Sequence, residues 1–393
     1  LCSPRRRWLA AVIVALLTSA LATSCVRGGF GADCAEGARC DDGDPCTDND
    51  RCQSGQCRGD APIGFCRDLE FGAAGVAWVQ SGAMDNGGFA LGALTIDPAG
   101  QLWVAGTGAG AIGDDFLVTR LDSAGRPDPS FGEGGQALID VGGDDSAKAL
   151  VLTDSGAIVA GSSQGKVGLA ALTQSGTLDT SFGTAGIHGL SFGAVSSVAN
   201  SVRRDGTARL LIGGHGRLTA NATVVLLAAR LDKKGKLDGS FGGKGWISRA
   251  YPRDCFGGIV ESDDAGRLYL AGNHLRANFQ GFDVVISRHQ PGGAPDLSWG
   301  NQGSLTLAPG GPPTSLHAML PVGDTLLLAG TADAAPRKQG IVSRLRAGLP
   351  DGDFGDGGRV VISQAYGVDL RALLPRPDGR VWVAGAALDP ASS

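Results

Sequence analysis

The sequence predicts an all-β fold, specifically a β-propeller of about six four-stranded blades, from two markers that recur together along the chain. The first is a hexapeptide of the form Leu-Asp-x-Ser-Phe-Gly, repeated every 50 to 60 residues. Its copies are Pro127–Gly132, Leu178–Gly183, Leu237–Gly242, Pro295–Gly300 and Pro350–Gly355, with a degenerate first copy at Asp68–Gly72. A fixed period of this length is typical of repeat architectures.

The second marker is a short apolar run that ends in Ala-Gly or Gly-Gly. Six runs occur, one for each hexapeptide: Leu102–Gly106, Ile158–Gly161, Leu210–Gly213, Leu268–Gly272, Leu326–Gly330 and Val381–Gly385. The runs are apolar without alternation, which indicates strands buried on both faces. Repeat units therefore start near residues 71, 131, 182, 241, 299 and 354.

Each unit divides into four short β-type segments. In the second unit these are Gln136–Val141, Ala147–Thr153, Ala157–Ala160 and Val167–Leu172, with a tight turn before the third. Turns rich in Asp and Gly between apolar runs predict hairpins, because glycine accepts positive φ angles. Four-stranded meanders at this period predict propeller blades; a flat array of β-sandwiches is the alternative.

The hexapeptide itself is interpreted as structural. Its aromatic ring would wedge between adjacent blades, and its Asp would cap the turn. Its Gly would turn the chain from the outer strand of one blade to the inner strand of the next. The fourth segment, which ends in Arg120, Arg230 or Arg288 in three units, would then be the outer strand.

These residues resemble the delta-60 repeat, a bacterial β-propeller repeat family. The resemblance covers residues 68–393 and implies a propeller in a secreted or envelope protein, without defined catalytic residues. The chain departs from the pattern at Trp299, at Asp353 and at Ala171, which stands where other units carry the arginine. The last unit lacks a predicted fourth strand, so we expect an incomplete final blade or a chain that continues beyond Ser393.

The first 24 residues resemble a bacterial lipoprotein signal peptide. Three arginines precede an apolar run of about 15 residues, shorter than the roughly 20 that a membrane-spanning helix needs. The run is followed by Ala22–Cys25, which is similar to a lipobox, and this similarity implies lipidation of Cys25. Ordinary signal-peptide cleavage is the alternative. The predicted location is the bacterial cell envelope, lipid-anchored or secreted.

Residues 25–67 form a predicted disulfide-rich segment. Six closely spaced cysteines behind an export signal favour three disulfides, whose pairing the sequence leaves open. They are Cys34, Cys40, Cys46, Cys52, Cys57 and Cys66. Zinc is a weaker alternative for these cysteines. Acidic residues between Asp41 and Asp50 are candidate Ca²⁺ ligands, although their spacing matches no EF-hand, and acidic turns without a metal are the alternative; otherwise no metal or cofactor is predicted.

No catalytic motif is apparent: the five histidines lie at unrelated positions of three units, and there is no Gly-x-Ser-x-Gly elbow between a strand and a helix and no phosphate loop. A net charge of −5 without a basic stripe argues against nucleic acid. We therefore expect an envelope-anchored, non-catalytic binding or scaffold module for a protein or glycan, in contact with the membrane through the lipid anchor only. The alternative is a propeller-type hydrolase, lyase or lactonase with a site at the channel mouth.

The most irregular loops are expected to bind the partner, because binding residues on rigid scaffolds usually lie on variable loops. Antiparallel strands place the loops between segments 1–2 and 3–4 on one face and the conserved turns and hexapeptides on the other. Candidate residues from the irregular loops are His215, Arg217, Asn273, His274 and Arg276.

Overall fold

The computed structural model describes residue 36 and the ranges 51–54, 56–58, 71–72, 77, 90–307, 314–334, 337–363, 367–375 and 380–388. A two-stranded hairpin, β1 (Arg51–Gln53) with β2 (Gln56–Arg58), lies in the cysteine-rich segment. All other described strands belong to six antiparallel sheets, and no helix occurs in the described ranges.

The first three sheets, called blades 1 to 3, each have four strands in chain order. Blade 1 comprises β3 (Ala90–Ile96), β4 (Leu102–Ala109), β5 (Asp114–Leu121) and β6 (Gln136–Ile139). Blade 2 comprises β7 (Asp145–Leu152), β8 (Gly156–Ser163), β9 (Lys166–Thr173) and β10 (Ile187–Leu190). Blade 3 comprises β11 (Ser196–Arg204), β12 (Leu210–Arg217), β13 (Val224–Leu231) and β14 (Trp246–Arg249).

The remaining sheets, blades 4 to 6, repeat this order with a shortened end. Blade 4 comprises β15 (Cys255–Ser262), β16 (Leu268–Leu275), β17 (Phe282–His289) and β18 (Ser304–Leu307). Blade 5 comprises β19 (Thr314–Val322), β20 (Thr325–Ala334), β21 (Arg337–Arg346), the two-residue β22 (Leu349–Pro350) and β23 (Arg359–Ile362). Blade 6 contains β24 (Gly367–Pro375) and β25 (Val381–Leu388) among the described residues.

The sheets stack in sequence, with a hydrophobic core between each consecutive pair. One core joins blades 1 and 2 through Trp103, Phe131 and Leu150, and the next joins blades 2 and 3 through Phe182 and Ile212. Equivalent cores follow between the later blades. The first strands of consecutive blades also contact each other, which places them innermost. This arrangement confirms the predicted β-propeller class.

The hexapeptide differs from its predicted position in one respect. Strand β10 follows the copy at Leu178–Gly183 and pairs with β9 of the same sheet. The hexapeptide thus leads from the third to the outer fourth strand of one blade, and the prediction that it crosses between blades was wrong. The third strands are accordingly interior strands and not outer ones, and in blade 3 every residue of β13 is buried. The repeat unit read from the sequence and the structural blade are offset by one strand. Periodicity gives the length of the repeat, but it does not define where along the repeat a blade begins.

The other two roles predicted for the hexapeptide are confirmed. Phe131 is fully buried, and its ring lies against Gly176 of blade 2. Asp128 Oδ1 accepts hydrogen bonds from the Ser130 amide at 2.9 Å and the Ser130 hydroxyl at 2.7 Å. Short polar side chains commonly close turns in this way.

The degenerate first copy makes the same contact with the blade that follows it. Gly72 donates its amide to the Ala124 carbonyl at 2.6 Å, and Phe71 lies against Gly125. Gly132 donates to Ser175 in the equivalent place one blade later. Phe71 therefore covers the side of blade 1 that faces away from blade 2, as the hexapeptide of a preceding blade would.

Candidate functional site

Every blade carries a β-bulge at the same point of its innermost strand. The extra residue lies between two paired neighbours, for example Lys148 between Ala147 and Ala149. The six bulges, called the inner-strand bulges, are at Gly92, Lys148, Asn200, Gly257–Gly258, His317 and Arg371. Bulges are over-represented beside functional sites, where they re-aim side chains.

The glycine of the second sequence marker explains why the bulge recurs. In blade 2, Gly161 pairs with Ala147 next to the bulge, and a Cβ on Gly161 would lie 1.9 Å from the Ser146 carbonyl oxygen. In blade 5, a Cβ on Gly330 would lie 2.0 Å from the Ser315 carbonyl oxygen. Only glycine allows the bulged backbone to approach so closely. The Ala-Gly runs are therefore the partners of the bulges.

Four of the inner-strand bulges carry polar or charged side chains. Lys148 and Arg371 are exposed, while Asn200 and His317 are half-buried. The bulges lie at or before the middle of their strands, for example at Asn200 in Ser196–Arg204 and at His317 in Thr314–Val322. The innermost strands thus carry two cations and two hydrogen-bonding side chains at equivalent positions of four blades.

A cluster around Asp369 connects the bulges of blades 5 and 6. His317 Nε2 lies 3.3 Å from Asp369 Oδ1, and Thr331 donates its hydroxyl to the same oxygen. The Arg371 guanidinium pairs with Asp369 and lies 3.5 Å from His317 Nδ1. Burial, assisted by Arg371, lowers the pKa of His317 despite the opposing effect of Asp369. This shift favours the neutral form of His317.

The predicted residues of blade 3 lie at the end of a strand instead of in a loop. His215 and Arg217 are the last residues of β12. His215 Nδ1 is 2.8 Å from Asn200 Oδ1, and burial lowers the pKa of this histidine. Arg217 lies 3.6 Å from Asp254 and donates to the Ala222 carbonyl. His215 thus positions the bulge residue Asn200.

The predicted residues of blade 4 also have internal partners. Asn273 joins blades 4 and 5: its side chain donates to the Leu316 carbonyl at 3.3 Å and accepts from the Leu316 amide at 2.7 Å. Arg276 pairs with Asp283 at 2.7 Å. Burial lowers the pKa of His274, with Arg253 acting in the same direction and Asp283 against it. Asn273 and Arg276 are occupied by structural contacts.

Sequence analysis did not identify Lys148, Asn200, His317 or Arg371. A signal was present, because the bulge residue always lies opposite the glycine of the Ala-Gly run. Using that signal requires the strand register, which neither composition nor periodicity supplies.

Several predicted residues are only partly described. Cys52 is buried and disulfide-bonded. The side chains of the other five cysteines of this segment, Cys25 and the acidic stretch at 41–50 lie outside the described residues. Their disulfide pairing, the lipidation of Cys25 and Ca²⁺ binding at 41–50 stay predictions. Cys255 is buried and has a free thiol.

In the part of the chain that the structure describes, no helix is long and apolar enough to cross a membrane.

No family model and no curated protein matches this sequence. Among solved structures, the chain is similar to Drosophila Semaphorin 2a at 11% identity and a TM-score of 0.43, with 72% of this chain and 53% of that chain covered. The chain thus spans about half the length of the semaphorin. A protein of unknown function from Dyadobacter fermentans matches at 12% identity and a TM-score of 0.41, covering 76% of this chain and 94% of that one.

The NanB sialidase of Streptococcus pneumoniae, as a K499G mutant, matches at 11% identity and a TM-score of 0.39, covering 80% of this chain and 67% of that one. At such identities and TM-scores the likeness carries nothing about activity.

Proposed function

We propose that the protein is a cell-envelope binding module whose ligand docks on the inner-strand bulges. The proposal depends on one observation, the polar side chains Lys148, Asn200, His317 and Arg371 on equivalent bulges of four blades. A rigid scaffold with a repeated backbone irregularity is a common way to present binding residues.

The charges at the bulges favour a ligand that carries negative charge. Lys148 and Arg371 are exposed cations, and Asp369 is a carboxylate already paired with Arg371. A carboxylate-bearing glycan or an acidic segment of an envelope protein would pair with Lys148 and with the remaining donors of Arg371. The protein as a whole has a net charge of −5, so this cationic character is local.

The delta-60 repeat, the lipid anchor at Cys25 and the envelope location belong to the same proposal. They are supported by the repeated hexapeptide and by the signal-like first 24 residues. An anchor at Cys25 would attach the propeller to the membrane through the cysteine-rich segment. The bulges would then be accessible to envelope polymers.

Binding of an acidic polysaccharide such as polygalacturonate tests this function. We expect biolayer interferometry at low salt to detect binding to the full chain, and K148A combined with R371A to weaken it at least tenfold. K233A is the matched control. Lys233 is an exposed lysine in the turn that follows β13, on the face away from the links between blades. Equal binding by the double variant and K233A would contradict the assignment, and shortening of the polymer would favour the hydrolase alternative.

A further inference from the structure

Three carboxylates converge where the chain passes from blade 1 to blade 2. Asp115 lies at the start of β5, Asp140 directly follows β6, and Asp145 begins β7. One carboxylate oxygen from each residue lies within 4.8 Å of the other two. Asp115 and Asp145 belong to strands of different blades, and Asp140 lies in the segment between them. The tertiary fold therefore brings the three acids together.

Two of these acids are almost completely buried. Asp145 is 1% exposed and Asp115 is 6% exposed. Among the described residues, no lysine or arginine forms an ion pair with any of the three. Burying a carboxylate without a cation is strongly unfavourable, so the cluster needs a counter-charge.

The environment of Asp145 provides independent evidence for a ligand. Its Oδ2 accepts hydrogen bonds from the amides of Val141 at 2.6 Å and Gly142 at 3.2 Å. Its Oδ1 is buried and has no hydrogen-bond partner among the described residues. Buried polar atoms are nearly always satisfied, and an exception points to a missing water or ion.

A glycine leaves room beside the cluster. A Cβ on Gly110 would lie 2.1 Å from Asp115 Oδ2 and 2.7 Å from its Oδ1. Any other residue would push this carboxylate away from its position.

We propose that Asp115, Asp140 and Asp145 bind a Ca²⁺ ion at the junction of blades 1 and 2. Calcium takes six to eight oxygen ligands in flexible geometry, and three carboxylates completed by water supply such a set. Magnesium demands a near-ideal octahedron and gives up its water reluctantly, so Ca²⁺ is the preferred ion. The ion neutralises the buried acids and links the third strand of blade 1 to the innermost strand of blade 2.

Calorimetric titration of the EDTA-treated full chain with CaCl₂ tests the site, with thermal unfolding as a second measurement. We expect Ca²⁺ to bind and to raise the unfolding temperature, and Mg²⁺ to bind at least tenfold more weakly. D115N and D140N should each weaken Ca²⁺ binding at least tenfold. Without calcium, D115N should be at least as stable as the wild type, because it removes a buried negative charge.

D264N is the matched control, since Asp264 is an exposed acid in the turn between β15 and β16. It should bind Ca²⁺ like the wild type. The proposal is overturned if Ca²⁺ at millimolar concentration leaves the wild type unchanged. It is equally overturned if D115N and D140N bind as D264N does, since the ion would then be held elsewhere, for example by the acidic stretch at 41–50.

Discussion

The Arg120 guanidinium lies 2.8 Å from the Asp128 carboxylate, and both side chains are almost fully buried. Arg120 also donates to the Ser130 hydroxyl and, across the blade junction, to the Gln174 carbonyl. Arg230 repeats the arrangement with Asp238 at 2.8 Å and the Pro291 carbonyl. The arginine of the third strand thus joins the hexapeptide of its own blade to the turn of the next.

Removing this arginine should destabilise the propeller. R120A leaves Asp128 buried without its cation, and breaking such a pair costs about 3 kcal/mol. R126A is the control: Arg126 is largely exposed, 4.0 Å from Asp122, and an exposed pair contributes under about 1 kcal/mol. Urea unfolding of both variants measures the difference. Similar losses for the two would show that the buried pair is not a stabilising link.

The glycine that receives the aromatic wedge should be intolerant of a side chain. G176A places an alanine where the backbone is left-handed, with φ of +81°. Its Cβ would lie 2.7 Å from the Gly132 amide nitrogen and 3.1 Å from the Phe131 ring. We expect a loss of about 2–4 kcal/mol from the strained backbone and the overpacked junction. G134A has a similar φ but no heavy atom within 4 Å of its Cβ, so only the backbone term of about 1–2 kcal/mol remains. Equal unfolding free energies for the two would disprove wedge packing as the cause.

Acid should weaken the hexapeptide turns. The Ser240 hydroxyl and amide, together with Arg230, lower the pKa of Asp238 to about 2 against the opposing effect of burial. A depressed folded-state pKa gives stability that is present above the unfolded-state value near 4 and lost as pH falls toward 2. D238N should show a smaller decrease in unfolding free energy across this range than the wild type. Parallel pH profiles for the two proteins would contradict the assignment.

The free thiol should be inert in the folded protein. Burial raises the pKa of Cys255 to about 12, and its side chain is fully inaccessible. Because the thiolate is the reactive species, Ellman's reagent near pH 8 should not titrate Cys255 until denaturant is added. Comparison with C255S identifies this thiol among the others. Release of the same number of thiols from the folded and unfolded wild type would refute its burial.

The strands themselves were largely predictable from residue pattern. The predicted segment Val167–Leu172 corresponds to β9, and Ala157–Ala160 lies within β8. Both were recognisable because continuous apolar runs are bounded by turns rich in Asp and Gly. The predicted partner loops were less accurate: His215 and Asn273 lie within strands and have structural partners. Loop irregularity reports where the chain varies, but it does not show which side chains are free.

The sequence by itself determined the repeat, the number of units and the aromatic wedge. These features depend on short residue patterns that recur at a regular spacing along the chain. Tertiary structure decided which strands share a sheet, where the bulges fall and which acids converge. Asp115, Asp140 and Asp145 are neighbours only after β5, β6 and β7 are placed in two adjoining blades. Pairing register and blade contact are long-range properties, and a one-residue shift would move each of these side chains to the opposite face of its sheet.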